Sequence, residues 1–257
     1  MKRGKEMRLD KLLEQEKIGS RRKVKALIRS KQVTVDGQII MSESLNVDAA
    51  LQDIFVGDKK IQQTTHVYYM LNKPNGVVTA VKDAQHQTVI DLISVNDQRV
   101  GLYPVGRLDR DTEGLLLLTD NGQLGYQLLL PHKKVSKRYE VIVNEPLTLL
   151  DCKAFSEGIV FLDGKKCKPA ELVILSSEKN QSRAYLDITE GKFHQVKKMF
   201  LAVGKKVMYL KRLSMGPIQL DPTLSLGAYR PLNQAELQAL LPYFTIHKKE
   251  KSVEHEI

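Results

Sequence analysis

Between Gly101 and Gly122 the chain reads GLYPVGRLDRDTEGLLLLTDNG. Four carboxylates, Asp109, Asp111, Glu113 and Asp120, stand close to Arg107 and Arg110 and flank the apolar run Leu115 to Leu118. A carboxylate fixed in place can attack an electrophilic carbon, stabilise positive charge developing there, or move a proton. Loops that lead into a rigid buried strand are where such groups are commonly carried. The same composition also describes a surface ion-pair loop, and spacing alone does not choose among Asp109, Asp111 and Glu113. Two residues elsewhere have types that would serve such a site. Tyr139, in SKRYEV, offers a flat ring and a hydroxyl, although an alternating strand would hold a half-buried tyrosine with no role in chemistry. Lys197, in FHQVKKMF, offers a cation, although by pattern it is only the exposed side of a helix. Asn72 and Lys73 precede Pro74 in an expected turn and are weaker candidates for the lining of a cleft.

The elements that must position these groups follow from periodicity. Val67–Leu71, Val77–Thr79, Leu115–Thr119, Arg138–Val143 and Arg183–Thr189 read as strands, and Pro74-Asn75-Gly76 as part of a turn. Phe193 to Val203 has helical period with Val196, Phe200 and Val203 on one face, and Gly204 stops it. Asn233 to Glu236 opens a last helix reaching Leu241 through a variant capping box. Strands and helices mixed without a regular βαβ alternation predict an α+β domain with a large, mostly antiparallel mixed sheet flanked by helices.

A different unit precedes it. From Met1 to Lys31 there are 12 Lys and Arg against 4 Asp and Glu, within a chain of net charge +10. A run of this kind is either a solvated face or a surface for a polyanion, since cations that neutralise phosphates gain affinity by releasing counterions. Arg8–Glu16 reads as a short amphipathic helix, Gly19 breaks it, and Ser20 stands where a helix N-cap belongs. In the next helix, Arg21–Ile28, Val24, Leu27 and Ile28 form the packing face, while Arg21, Arg22, Lys25 and Arg29 make a positive one. Asp36-Gly37 between β-branched runs is a hairpin signal. The predicted organisation is a small N-terminal α/β unit over 7–60, a linker over 61–66, a catalytic domain over 67–242 and a charged tail over 243–257.

No apolar run approaches the roughly 20 residues of a membrane helix, and the basic start lacks the apolar region of a secretory signal. A cytoplasmic protein with reduced Cys152 and Cys167 is the expectation. Neither cysteines nor the six scattered histidines have metal-ligand spacing, so no metal is expected.

The segment MRLDKLL…GSRRKVKALIRSKQVTVDG resembles the small RNA-binding domain named after ribosomal protein S-four. That resemblance implies that the basic helix holds structured RNA. VGRLDRDTEGLLLLTDNG, MLNKPNGVVT, EGKFHQVKKMF and GAYRPL resemble the motifs of the RsuA branch of pseudouridine synthases and fall in that family's order along the chain, so that the likeness spans about Met7 to Leu241. It implies an enzyme that breaks the bond between uracil nitrogen 1 and ribose, turns the base, and rejoins it through carbon 5, with no cofactor. It places the catalytic carboxylate on Asp109 and assigns Arg107 to holding the extruded nucleotide, Tyr139 to packing on the uracil ring, and Lys197 to pairing with Asp109. Lys-Phe-His-Gln-Val-Lys-Lys after Glu190-Gly191 looks like the branch that acts on small-subunit (16S) ribosomal RNA, where the large-subunit branches carry an Arg-Asn-Arg run. The implied partner is that RNA or its assembly intermediate, met by a monomer. A large-subunit synthase and a non-catalytic RNA-binding assembly factor are the alternatives.

Overall fold

The computed structural model describes residues 7–61 and 66–244. Two sheets organise it. In the first unit, α1 (Leu9–Gln15) and α2 (Arg21–Arg29) pack over a four-stranded sheet of order β2-β1-β3-β4, built from β1 (Val33–Val35), β2 (Gln38–Ile39), β3 (Ile54–Val56) and β4 (Lys59–Lys60). Leu9, Leu12, Leu13, Val24 and Ile28 bury their side chains against Val33, Val35 and Ile54, the faces that the apolar spacing predicts. Asp36 and Gly37 both take positive φ, 51° and 76°, as a two-residue hairpin turn requires. Ser20 occupies the N-cap position, but its side chain makes no capping hydrogen bond.

The second unit holds a nine-stranded mixed sheet. Its strands are β5 (Tyr68–Lys73), β6 (Tyr103–Pro104), β7 (Glu113–Thr119), β8 (Lys137–Val143), β9 (Glu171–Glu178), β10 (Gln181–Ile188), β11 (Val207–Met215), β12 (Ile218–Gln219) and β13 (Tyr229–Pro231). The order is β13-β5-β7-β11-β8-β10-β9, with β6 on β7 and β12 on β11; only the β7–β11 pair is parallel. Helices α3 (Gly122–Leu129), α4 (Leu149–Glu157), α5 (Gln195–Ala202) and α6 (Gln234–Phe244) flank it. The run Leu115–Leu118 is buried on both faces. Leu116 and Leu118 join the cluster containing Leu108, Tyr139 and Phe200, and Leu115 and Leu117 join that of Leu124, Leu128 and Leu240. A continuous apolar run, not an alternating one, is what a central strand covered on both sides needs. Gly114 is required where β7 meets β11: its φ is 98°, and a Cβ there would strike the Arg212 carbonyl.

Several boundaries differ from the sequence reading. Ile61 is packed in the first core and His66 is buried against Asp120, so only 62–65 of the expected linker lie outside the described residues. Asn72 and Lys73 continue β5 and are not in a turn. Val77–Thr79 forms no strand beyond one bridge, Val78 to Thr88, because Thr79 is tied to Leu108. The last helix runs three residues past Leu241, where Phe244 still finds a buried site; 245–257 of the expected tail lie outside the described residues. The Asn233–Glu236 box closes in both directions, at 2.8 and 2.9 Å. The two cysteines are free thiols. The two units touch through residues 48–51: Leu51 packs with Tyr68 and Met70, and the Asp48 carboxylate accepts hydrogen bonds from the Tyr68 hydroxyl and from Asn121 Nδ2.

Candidate active site

The Asp109 loop is held by the segment that ends β5. Thr79 Oγ1 donates to the Leu108 carbonyl at 2.7 Å and accepts from the Leu108 N–H at 3.2 Å. Gly76 N–H donates to the Arg110 carbonyl, and Arg110 Nε returns a bond to the Gly76 carbonyl. Lys73 Nζ, fully buried, donates to the carbonyls of Pro74, Arg110 and Thr112 at 2.9, 3.1 and 2.8 Å. Residues on both sides of Asp109 are therefore fixed, and its side chain is left on the wall of an open cleft of about 810 Å³.

Lys197 Nζ, from α5, reaches that carboxylate at 3.1 Å and Asp111 Oδ1 at 2.5 Å. Burial works against the ammonium charge, but the hydrogen bonds to Asp111 and Asp109 outweigh it and hold the Lys197 pKa above its ordinary value. For Asp111, desolvation pushes upward, but the same bond to Lys197 prevails and holds it below the usual carboxylate range. His194 Nε2 lies 3.7 Å from Asp109 Oδ1. Tyr139, buried in β8, and Arg107, exposed, line the same cleft.

Geometry separates the four acids that composition could not. Asp109 faces the cleft; Asp111 is largely exposed and serves Lys197; Glu113 accepts from the Tyr209 hydroxyl at 2.9 Å; Asp120 accepts from Val67 N–H and lies beside His66. Asn72 and Lys73 do not line the cleft. Asn72 is buried with its Nδ2 on the Leu224 carbonyl, and Lys73 is spent on three carbonyls under the loop, so neither can reach a ligand. On α2, Arg21 and Arg22 are exposed and form no ion pair among the described residues. Lys25 and Arg29 instead converge on Glu43 at 2.7 and 3.3 Å.

Among the cleft residues to which the sequence gives no role are His194, Lys137 and Arg212. His194 stands inside the FHQVKKMF run without an assignment. Lys137 is two residues before Tyr139, hence on the same face of β8, a signal that alternation makes readable. Arg212, on β11 directly opposite Tyr139, carries no motif of its own; it is buried, with Nε donating to the Leu115 carbonyl and Nη2 finding no acceptor among the described residues. Burial, reinforced by the Arg212 charge, lowers the Lys137 pKa to about 8. Burial likewise brings Lys73 to about 8, although Asp111, Glu113 and Asp109 pull the other way.

A carboxylate locked to a lysine on the wall of a positive cleft, on a mixed sheet that follows a small basic module, has the makings of an enzyme acting on RNA through a carboxylate. Residues 67–202 match the family model described as RNA pseudouridylate synthase, and residues 7–52 match the S4 domain. The chain is 44% identical to an uncharacterised RNA pseudouridine synthase of Bacillus subtilis, covering 91% of this chain and 98% of that one. It is 36% identical to ribosomal small subunit pseudouridine synthase A of Escherichia coli K12, covering 91% and 100%. A crystal structure of a pseudouridylate synthase superposes with a TM-score of 0.62 at 34% identity, over 91% of this chain and 99% of the other. The chain belongs to the RNA pseudouridylate synthase family and carries an N-terminal S4 domain.

Proposed function

We propose that this enzyme converts one uridine of small-subunit ribosomal RNA, free or in an assembly intermediate, to pseudouridine with Asp109 as its catalytic carboxylate. The observation that carries the site is the 3.1 Å pair between Lys197 and a cleft-facing Asp109, with Tyr139 lining the same cleft. The target nucleotide leaves its stack to enter, and Arg107 at the open wall holds its backbone. Tyr139 packs on the uracil. As the bond between C1′ and N1 breaks, its electron pair stays on the base, and Asp109 meets the positive charge at C1′. Lys197, 3.1 Å from the carboxylate, holds Asp109 aimed at the reacting carbon. The freed base turns, C5 bonds to C1′, C5 gives up its proton and N1 gains one, so the product is an isomer. Arg21 and Arg22 on α2 grip RNA at a distance from the reacting base.

Two observations favour the small subunit: the Lys192–Lys198 run, and relatives named for that subunit. In this reading the enzyme acts as a monomer, in the cytoplasm. Carbodiimide mapping after incubation with small-subunit RNA, its assembly intermediate and large-subunit RNA tests the reading. New pseudouridine in the first or second is expected; modification confined to the third overturns the choice of subunit, and none in any overturns the activity.

A further inference from the structure

The segment Phe193-His194 departs from its sequence expectation in an informative way. Helical periodicity starts at Phe193, yet α5 begins at Gln195. His194 sits in the left-handed region, φ 53° and ψ 34°, a conformation that a non-glycine residue keeps only when its surroundings enforce it. The surroundings are clear. Buried Gln195 accepts from the Lys192 N–H at 2.8 Å and donates to Glu190 Oε1 at 2.9 Å, and the same Glu190 oxygen accepts from the Lys168 N–H at 2.9 Å. This clamp turns Phe193 outward, where it is 74% exposed on the cleft rim. One face of its ring lies on His194, with centroids 3.8 Å apart and planes 22° from parallel. His194 in turn reaches Asp109 at 3.7 Å. Lys198 Nζ stands 5.4 Å from the Phe193 centroid and 5.6 Å from that of Phe161, near which Lys192 also lies at 5.8 Å.

A single exposed apolar side chain needs no explanation. A flat ring held out by a strained turn, one stack away from the catalytic carboxylate and with the Lys198 ammonium over it, does. Every nucleobase has a face that stacks on such a ring, and cations beside it meet the phosphates of the same strand. We propose that Phe193, backed by His194, is the stacking platform for an unpaired base next to the target uridine, so that the strand is gripped on both sides of the flipped nucleotide. This rests on the pseudouridine-synthase reading and names what that reading leaves open, the positioning of the neighbouring nucleotide.

The chain contains no tryptophan, so F193W carries a single indole at the platform. Purified small-subunit RNA is titrated into full-length F193W, with binding followed separately by anisotropy of labelled RNA. At saturation the indole emission should be quenched and shielded from acrylamide. In turnover assays F193A and F193L should both lose about tenfold in kcat/KM, mostly through KM, because leucine is apolar but not planar; F193Y and F193W should stay near wild type. An indole equally accessible in free and bound protein, or F193L as active as wild type, overturns the platform while wild-type turnover stands. Absence of both RNA binding and turnover in the wild type overturns the enzymatic reading, and the platform with it.

Discussion

On α2, Arg21 and Arg22 stand in solvent while Lys25 and Arg29 lean on one carboxylate, Glu43, near the surface. In and beneath the cleft the arrangement is inverted: one ammonium, Lys197, is shared by two carboxylates, while Lys137 on the cleft wall and Lys73 under the Asp109 loop are buried deeply enough to bring their pKa to about 8. Exposed charges in high dielectric attract a polyanion from a distance and are screened by salt. Buried ones are costly to hold and act through geometry, over one or two hydrogen bonds. On the proposed function, the difference teaches that net charge reports on recruitment of RNA, whereas chemistry depends on a few charges that contribute little to the net. Changes to the Asp109–Lys197 pair should therefore alter rate at nearly constant affinity, and changes on α2 should alter affinity and its salt dependence at nearly constant rate.

The largest effect is expected for Asp109→Asn. The amide is isosteric but can neither attack nor neutralise C1′, so turnover should fall by at least about 10³-fold, with RNA affinity within a few-fold of wild type. Turnover equal to wild type in a single-turnover assay would remove Asp109 from the chemistry. Lys197→Met comes next. It leaves Asp109 and Asp111 facing each other without their shared cation, and kcat should drop by about 10²-fold with KM little changed. A variant with raised KM and intact kcat would make Lys197 an RNA contact, on the same footing as α2.

Lys73→Met tests the buried side of the comparison through stability. Three carbonyls lose their donor, which should cost about 2–3 kcal/mol in denaturant unfolding and loosen the Arg110–Thr112 turn enough to lower kcat. The pH dependence has a definite sign. Folded Lys73 titrates at about 8, below its ordinary 10.5, so between those values the unfolded chain holds more protons than the folded one. Stability contributed by this group therefore rises from pH 8 toward 10.5, and the rise should be smaller in K73M than in wild type. Identical pH–stability curves would mean that Lys73 keeps an ordinary pKa beneath the loop.

What the sequence makes legible sorts along the same line. The hairpin at Asp36-Gly37, the basic face of α2 and the central strand through Leu115–Leu118 are readable because each rests on local periodicity or turn chemistry. Asp109 is separable from Asp111 and Glu113 only by resemblance, because its distinction comes from Thr79 and Lys73, remote in sequence, locking its neighbours. Lys73 is misplaced for the same reason: Asn-Lys-Pro-Asn-Gly has turn composition, and nothing local says that the strand runs through Lys73 to bury an ammonium under another loop. The spacing of Phe193 fits a helix; the strain at His194 that excludes it from one is imposed by Gln195 and Glu190, through bonds that periodicity does not encode. Arg212 gives no signal, since a lone arginine in an alternating strand reads as an outward-facing residue.

The smallest effect separates the cations of α2 from one another. Arg21→Ala with Arg22→Ala removes two free charges and should flatten the slope of log K against log salt by about two units, roughly one for each phosphate no longer neutralised. Lys25→Ala with Arg29→Ala removes the same formal charge, but those groups are already partly neutralised by Glu43, so the slope should change by less than about one unit. Glu43→Gln in the wild-type background frees both and should steepen the slope. Equal slopes for the two double variants would mean that RNA displaces Glu43 on binding and uses all four cations, and the charges on α2 would then be as closely engaged as those of the cleft.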